Sequence, residues 1–227
     1  MMKRMMMVAF CAGLACSCFA QQREVRKILF LGNSITLHGP SKKVDWSGNW
    51  GMAASAQEKD YVHLVTQALS KKDGRAPETL VKNIATFERE YAAYDASAQL
   101  KDAAAFGADL IVLCIGENVP NLATDAAKGQ FKDGVVKMLN SVQAGRKPVI
   151  VVRSSFWANA AKDGALKQAC ADVGGIFVDI SALGKDEKNF ARSERPFKHA
   201  GVANHPGDAG MRAIADAIAT AVKAQSK

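Results

Sequence analysis

The segment Lys-Ile-Leu-Phe-Leu-Gly-Asn-Ser, residues 27–34, joins a run of four apolar residues to a glycine, an asparagine and a serine. A short apolar run that ends in turn residues is typical of a strand buried on both faces of a parallel sheet. Four later segments have the same character. The predicted strands are residues 27–32, 79–84, 109–115, 148–152 and 175–180.

Helical patterns lie between these strands, because apolar residues recur there at intervals of three and four. The predicted helices are residues 61–69, 96–106, 126–142, 164–173 and 207–222. Alternating strands and helices predict an α/β fold in which helices cover both faces of a five-stranded parallel sheet. Ligands bind such folds beyond the carboxyl ends of the strands, so the residues that follow each strand are the candidates for a site.

The start of the chain has the pattern of a signal peptide, with a short basic region, an apolar stretch at residues 8–19 and a small residue for cleavage. We therefore expect a leader at residues 1–20, a single domain at residues 21–227 and a secreted or periplasmic protein. Lipoprotein anchoring at Cys16 or Cys18 is a less favoured alternative. No later segment is apolar enough to predict a membrane span.

Charge and cysteine content narrow the classes of partner. The formal net charge is +8, but the basic residues are scattered among acidic ones, so we expect no nucleic-acid partner. Cys114 and Cys170 are the cysteines beyond the leader, and Cys114 lies in an apolar run, which favours a buried thiol over a disulfide. The histidines and cysteines lack the paired spacing of a metal site.

Three polar residues stand at the ends of predicted elements. Ser34 follows the first strand, at a turn that exposes a side chain to the crevice, where a nucleophile belongs. Asn118 follows the third strand and is placed to donate to a developing oxyanion. His205 precedes the last helix and is placed to act as general base and then general acid. Taken singly, each residue also fits an ordinary turn or helix-capping role.

Four short motifs, in this order and spacing, resemble those of the SGNH, or GDSL-type, hydrolase superfamily, and the nearest in character are its secreted carbohydrate O-acetylesterases. The motifs are Gly32-Asn33-Ser34-Ile35-Thr36, the block that starts at Asn83, Gly116-Glu117-Asn118 and His205-Pro206. The resemblance implies a flavodoxin-like three-layer α/β/α sandwich and a serine esterase that uses no cofactor. It also implies that Ser34 attacks the ester and His205 moves the proton. The implied oxyanion donors are the backbone N–H of Ser34, an N–H at Glu88 and the side-chain amide of Asn118.

Two positions depart from the superfamily pattern. Glu88 stands where the second block normally has a glycine, and its carboxylate is itself a candidate for the pocket. Val202 stands where an acid normally precedes the histidine by three residues. A Ser–His dyad with a backbone carbonyl behind the imidazole is the favoured solution, and the alternatives are an acid from elsewhere or loss of catalysis. The candidate acids are Glu117, Glu88 and Glu194.

The expected substrate contacts lie in the loops near Ser34. A long polar loop at residues 36–56 carries Trp46 and Trp50, and the candidate contacts after the fourth strand are Arg153 and Trp157. Aromatic rings with nearby amides and carboxylates suit a sugar, although the tryptophans of the loop equally suit packing against the body of the domain. Arg153 is expected to contact an anionic group.

These features lead to one principal hypothesis and two alternatives for function. The principal hypothesis is hydrolysis of acetyl or other small acyl esters on a small-molecule or polysaccharide substrate. One alternative is a lipid esterase or a general short-chain esterase. The other, motivated by the two departures, is a non-catalytic glycan-binding module that keeps the fold.

Overall fold

Five parallel strands form the centre of the protein in a computed structural model that describes residues 24–225. The predicted leader lies outside the described residues. Neighbouring strands follow the order β2-β1-β3-β4-β5, and all are parallel, which confirms the predicted sheet. The strands are β1 Lys27–Gly32, β2 Glu78–Asn83, β3 Leu110–Cys114, β4 Val149–Arg153 and β5 Ile176–Val178.

The strand order reverses between β1 and β3. From β1 the chain runs outward to β2, then crosses back to β3 on the other side of β1. The loops after β1 and β3 therefore diverge, and this opens a crevice at the carboxyl end of the sheet. Ser34 follows β1 and Asn118 follows β3, so the topology brings both residues to this crevice.

Helices cover both faces of the sheet. Alternate residues of β1 point to opposite sides: Leu29 packs in a core with the α5 and α6 helices, and Phe30 packs in a core with α1 and α8. This division into two cores is the three-layer α/β/α arrangement that the sequence predicts. The helices are α1 Tyr61–Ala68, α2 Ala85–Glu90, α3 Ala96–Gln99, α4 Lys101–Phe106, α5 Asp125–Gln143, α6 Ala160–Asp172, α7 Ala200–Ala203 and α8 Asp208–Ala224.

Some helix predictions need correction. The single helix predicted at residues 96–106 is two short helices that meet at Leu100. Helix α6 begins at Ala160 rather than residue 164, because the Asn159 side chain accepts a hydrogen bond from Lys162 N and caps the helix there. Helix α2 was not predicted, and the stretch between β5 and α8 contains α7 and short 3-10 turns.

The two cysteines are buried and free. Cys114 lies in the core beneath α1 and α8, whereas Cys170 lies in the core on the opposite face of the sheet. Burial raises the pKa of both thiols, that of Cys170 to about 11. The structure therefore confirms the prediction of a buried thiol at Cys114. Within residues 24–225, no helix has both the length and the apolar character needed to cross a bilayer.

Candidate active site

Ser34 lies on a tight turn directly after β1. The buried Asn33 shapes this turn, because its carbonyl accepts from Thr36 N at 2.9 Å and its side chain accepts from Ile35 N at 3.1 Å. Gly32 is needed before it, since a Cβ there would overlap Thr36 Oγ1. The turn leaves the Ser34 side chain partly exposed, and its backbone N–H has no acceptor in the hydrogen-bond network of residues 24–225.

His205 faces Ser34 from the loop before α8. Ser34 Oγ and His205 Nε2 are 2.8 Å apart, and His205 Nδ1 is 2.7 Å from the carbonyl oxygen of Gly201. A carbonyl oxygen can only accept, so Nδ1 carries the proton and Nε2 is left to accept from the Ser34 hydroxyl. This tautomer is the one that a general base requires.

The surroundings of His205 keep its imidazole neutral. Burial lowers the pKa of His205 below its ordinary value of 6.5, although the hydrogen bond to Gly201 acts in the opposite direction. The Trp157 ring lies edge-on to the imidazole, with ring centroids 5.5 Å apart, and covers one side of it. A neutral imidazole at neutral pH is ready to accept the serine proton.

The position of the missing acid is filled by packing. Val202 is buried and belongs to a small apolar cluster with Met52 and Ala53. Glu194, one of the candidate acids, instead caps α8, because its carboxylate accepts from Asp208 N and Ala209 N at 2.8 Å each. Glu194 therefore does not orient the imidazole, and the position behind Nδ1 belongs to a backbone carbonyl.

Glu88 does not supply the backbone donor that the resemblance implies. Its N–H donates to Ile84 O within the first turn of α2, so the expected role as an oxyanion donor is wrong. Its side chain is fully buried, and Oε1 accepts from Gly116 N at 2.7 Å, Asn118 N at 3.0 Å and Asn33 Nδ2 at 3.3 Å. The Glu88 carboxylate thus ties the turn after β3 to the turn after β1.

Asn118 is held at both ends of its amide. Its Nδ2 donates to Glu88 Oε2 at 2.8 Å, and its Oδ1 accepts from Arg89 Nη2 at 3.4 Å. The second Nδ2 hydrogen has no partner in the described part of the chain. The turn beneath it needs glycine, because Gly116 has φ +126° and a Cβ there would overlap Ser155 Oγ. The amide is therefore fixed with one free N–H.

A buried ion pair lies below these turns. Arg153 Nη1 and Glu117 Oε1 are 2.7 Å apart, and Glu117 also accepts from Phe156 N at 2.8 Å and Asn33 Nδ2 at 2.6 Å. Arg153 is 0% exposed, so the prediction that it contacts an anionic substrate is wrong. The carboxylates of Glu88 and Glu117 are both bound in this network, and neither contacts the His205 imidazole.

The two buried carboxyl groups differ in their pKa. Burial raises the pKa of Glu117, but the Arg153 charge and the hydrogen bonds from Arg153, Phe156 and Asn33 together outweigh burial and bring that pKa below its ordinary value. Burial and the nearby Glu117 carboxylate raise the pKa of Glu88, and the hydrogen bonds from Asn118 and Gly116 offset this only in part. Glu117 is therefore the more acidic member of the pair.

The tryptophans of the long loop serve its structure. Trp46 Nε1 donates to His38 O at 2.9 Å, Trp50 Nε1 donates to Ala54 O at 3.0 Å, and the two rings pack edge to face. Neither ring lines the cavity at Ser34, so their predicted role in substrate binding is wrong. Trp157 does not line the cavity either, but its ring is 37% exposed and contacts the imidazole of His205, so it stays a candidate contact at the edge of the site.

A cavity of about 410 Å³ opens above the Ser34–His205 pair. Most of its wall is polar, and Val44, Met52 and Val202 add apolar surface. The sequence did not single out several residues of this wall, because they lie on α2 and α7 or point inward from loops. These additional lining residues are Ala85, Thr86, Arg89, His199 and Gly201, and they join Asn83 of the second sequence motif and His38 of the long loop.

Comparison with known proteins gives matches among solved structures, whereas no family model and no curated protein sequence matches the chain. A two-domain esterase active on acetylated mannans matches with a TM-score of 0.57 at 18% identity, over 88% of this chain and 49% of that one. A family two carbohydrate esterase from Cellvibrio japonicus matches with a TM-score of 0.53 at 17% identity, over 88% of this chain and 61% of that one. A protein named as a GDSL-like lipase, from Bacteroides uniformis, matches with a TM-score of 0.55 at 14% identity, over 88% of this chain and 96% of that one.

These matches show that the chain has the SGNH, or GDSL-type, hydrolase fold, as the sequence motifs predicted. The chain spans about half the length of the mannan esterase. At such identities the likeness establishes the fold, and the reaction has to be argued from the site itself.

Proposed function

We propose that the protein is a serine esterase that removes small acyl groups, chiefly acetyl, from a carbohydrate. The observation that carries this proposal is the 2.8 Å contact between Ser34 Oγ and His205 Nε2 at the floor of an open cavity. Ser34 and Asn118 both line this cavity, and each has an N–H without a partner among the described residues that is available to an oxyanion.

The reaction begins when Ser34 Oγ attacks the ester carbonyl and His205 Nε2 takes the hydroxyl proton. The Gly201 carbonyl, which accepts from Nδ1, holds the ring in place and stabilises the imidazolium in place of an acid. The Ser34 N–H and the Asn118 amide stabilise the tetrahedral oxyanion. His205 then protonates the departing sugar oxygen, and the sugar leaves with a free hydroxyl. The same imidazole takes a proton from a water molecule as the water attacks the acyl-enzyme, and it returns that proton to Ser34 Oγ as the acid is released.

A small acyl group on a sugar suits the cavity better than a long acyl chain does. The wall is lined mainly by amide, hydroxyl, imidazole and guanidinium groups, which hydrogen-bond to sugar hydroxyls. The exposed face of Trp157 offers an apolar platform for a sugar ring beside His205. Two of the matched structures are carbohydrate esterases, and one of these acts on acetylated mannans, which supports the same choice.

The test is release of acetate from acetylated xylan and mannan, together with p-nitrophenyl esters of increasing chain length. We expect Ser34→Ala to lower kcat/KM by at least about 10³-fold. The matched control is Ser47→Ala in the same loop, since Ser47 is exposed and does not line the cavity. Rates that rise with acyl length would favour a lipid esterase, and equal rates for wild type and Ser34→Ala would favour the non-catalytic glycan-binding module.

A further inference from the structure

We propose that Arg89 is a recognition site for a carboxylate on the substrate, so that the natural substrate is an acylated acidic sugar, a uronate. This inference rests on the proposed esterase function and names its substrate class. It replaces the predicted anion contact at Arg153, which is buried and paired with Glu117. Arg89 belongs to α2 and lines the cavity that contains Ser34.

The guanidinium of Arg89 is available for a ligand. It is exposed, and its one hydrogen bond to a protein group, from Nη2 to Asn118 Oδ1, is long at 3.4 Å. Across residues 24–225, no carboxylate lies within ion-pair distance of it, whereas Arg75, Arg153 and Arg192 all pair with acidic side chains. Four of its five N–H donors are therefore open, and a guanidinium binds a carboxylate through two parallel hydrogen bonds.

The wall of the cavity favours an anion over a neutral or cationic ligand. None of its lining residues is an aspartate or glutamate, and His199 adds an imidazole that can donate a hydrogen bond. Two acidic side chains lie behind the wall: Glu88 is fully buried, and the side chain of Glu117 is 3% exposed and paired with Arg153. Among the residues that line the cavity, a substrate carboxylate would thus meet a cation and no negative charge.

The position of Arg89 sets how far the carboxylate lies from the ester. Arg89 contacts the oxygen of the same amide whose nitrogen is the proposed oxyanion donor, so its guanidinium lies one side chain away from the reacting carbonyl. A uronate carries its carboxylate on the ring that bears the acylated hydroxyls. The geometry therefore points to an ester on the acidic ring itself or on its immediate neighbour.

Two other roles for Arg89 make different predictions. If Arg89 only orients Asn118, or only stabilises the oxyanion by its charge, its loss lowers the rate on every ester by the same factor. If it binds a substrate carboxylate, its loss lowers the rate on acidic substrates more than on neutral ones. The ratio of kcat/KM between a matched acidic and neutral ester separates these roles, because effects on the shared chemistry cancel in it.

The experiment uses two substrates that differ in one group: the methyl glycoside of a mono-O-acetyl galacturonate and that of the galactose acetylated at the same hydroxyl. We expect wild-type kcat/KM to be about tenfold higher on the galacturonate, chiefly through a lower KM. Arg89→Gln should bring the ratio to about one, and Arg89→Lys should keep part of it. Arg212→Gln, which removes an exposed charge on α8 outside the cavity, should leave the ratio unchanged.

Added salt gives a further check, because screening weakens an exposed ion pair and should lower the wild-type ratio without affecting that of Arg89→Gln. A wild-type ratio near one, or a ratio that survives in Arg89→Gln, overturns the carboxylate site while leaving the esterase in place. Acetate release from neither substrate, with wild type equal to Ser34→Ala, overturns the proposed function and this inference with it.

Discussion

The two halves of the candidate active site hold their polar groups by different means. In the nucleophile half, a neutral backbone carbonyl at Gly201 orients His205, and buried apolar packing occupies the place of an acid. In the oxyanion half, the charged side chains of Glu88, Glu117 and Arg153 are buried beneath the turns after β1 and β3. The nucleophile half thus depends on the dipole of a backbone carbonyl, and the oxyanion half depends on buried charged side chains.

This difference indicates where each half is sensitive. A carbonyl dipole fixes the imidazole tautomer but stabilises the imidazolium less than a carboxylate does, so the nucleophile half depends on the histidine and not on any acid. Hydrogen bonds to a buried carboxylate are stronger than neutral ones, and an unmatched partner is costly. Substitution of the acidic residues in the oxyanion half should therefore lower kcat clearly.

The largest effect should come from His205→Ala, which removes the proposed general base. We expect kcat/KM to fall by at least about 10³-fold in assays on a short-chain ester. Glu194→Gln should lower kcat/KM by less than about tenfold, since Glu194 caps α8 and does not contact the imidazole. A loss in Glu194→Gln equal to that of His205→Ala would identify Glu194 as the missing acid and remove the contrast between the two halves.

Asn118→Ala should have the next largest effect, because it removes the proposed side-chain donor to the oxyanion. We expect kcat to fall by about 10²-fold to 10³-fold with little change in KM, since the interaction is strongest in the transition state. Asn140→Ala, on the exposed surface of α5, is the matched control. If KM rises while kcat is retained, Asn118 binds the ground state and the oxyanion role is wrong.

Glu88→Gln should have a smaller but still clear effect. A glutamine can keep one acceptor, but its amide would then point a donor at the donor Nδ2 of Asn118, which loses its fixed orientation. We expect kcat to fall by about tenfold, the equivalent of one charge-assisted hydrogen bond. Thermal unfolding of the variant is measured alongside, so that loss of folded protein is separated from loss of rate. Unchanged kcat in a folded Glu88→Gln protein would show that the carboxylate does not position Asn118.

The pH dependence of stability gives a second measure of Glu88. Its folded-state pKa is raised by burial and by Glu117 above the ordinary value of 4.5, so the native state binds the proton more tightly than the unfolded chain does. The contribution of this group to stability is therefore complete below pH 4.5 and is lost as pH rises through the raised pKa. Urea unfolding at a series of pH values should show this decline in wild type, and Glu88→Gln should lack it. The same decline in both proteins would assign it to another group.

The sheet could be predicted because buried parallel strands are continuous apolar runs. The motif residues at the ends of these strands indicated which loops form the candidate site. The surroundings of Glu88 could not be predicted, because α2 has only six residues and shows no helical period, and the donors to the carboxylate come from the distant turn after β3.

The role of the tryptophans in the long loop was predicted wrongly for a related reason. Tryptophan rings among polar residues suit both a sugar-binding site and a packed loop, and only the hydrogen bonds to His38 and Ala54 decide between these two roles.

The smallest expected effect concerns Trp157, whose ring shields His205. Because the base must be neutral and burial lowers the pKa of His205, kcat/KM should stay on its plateau to pH values below 6.5. In Trp157→Leu we expect the fall of kcat/KM on the acid side of the pH profile to move toward pH 6.5, while kcat on the plateau changes by less than about threefold. Trp157→Phe keeps an aromatic ring, so its pH profile should shift less. An unchanged pH profile would mean that the burial which lowers the pKa of His205 does not come from the Trp157 ring. Since the nucleophile half has no carboxylate at the imidazole, the ring and the burial it provides should be what the acid side of the pH profile reports.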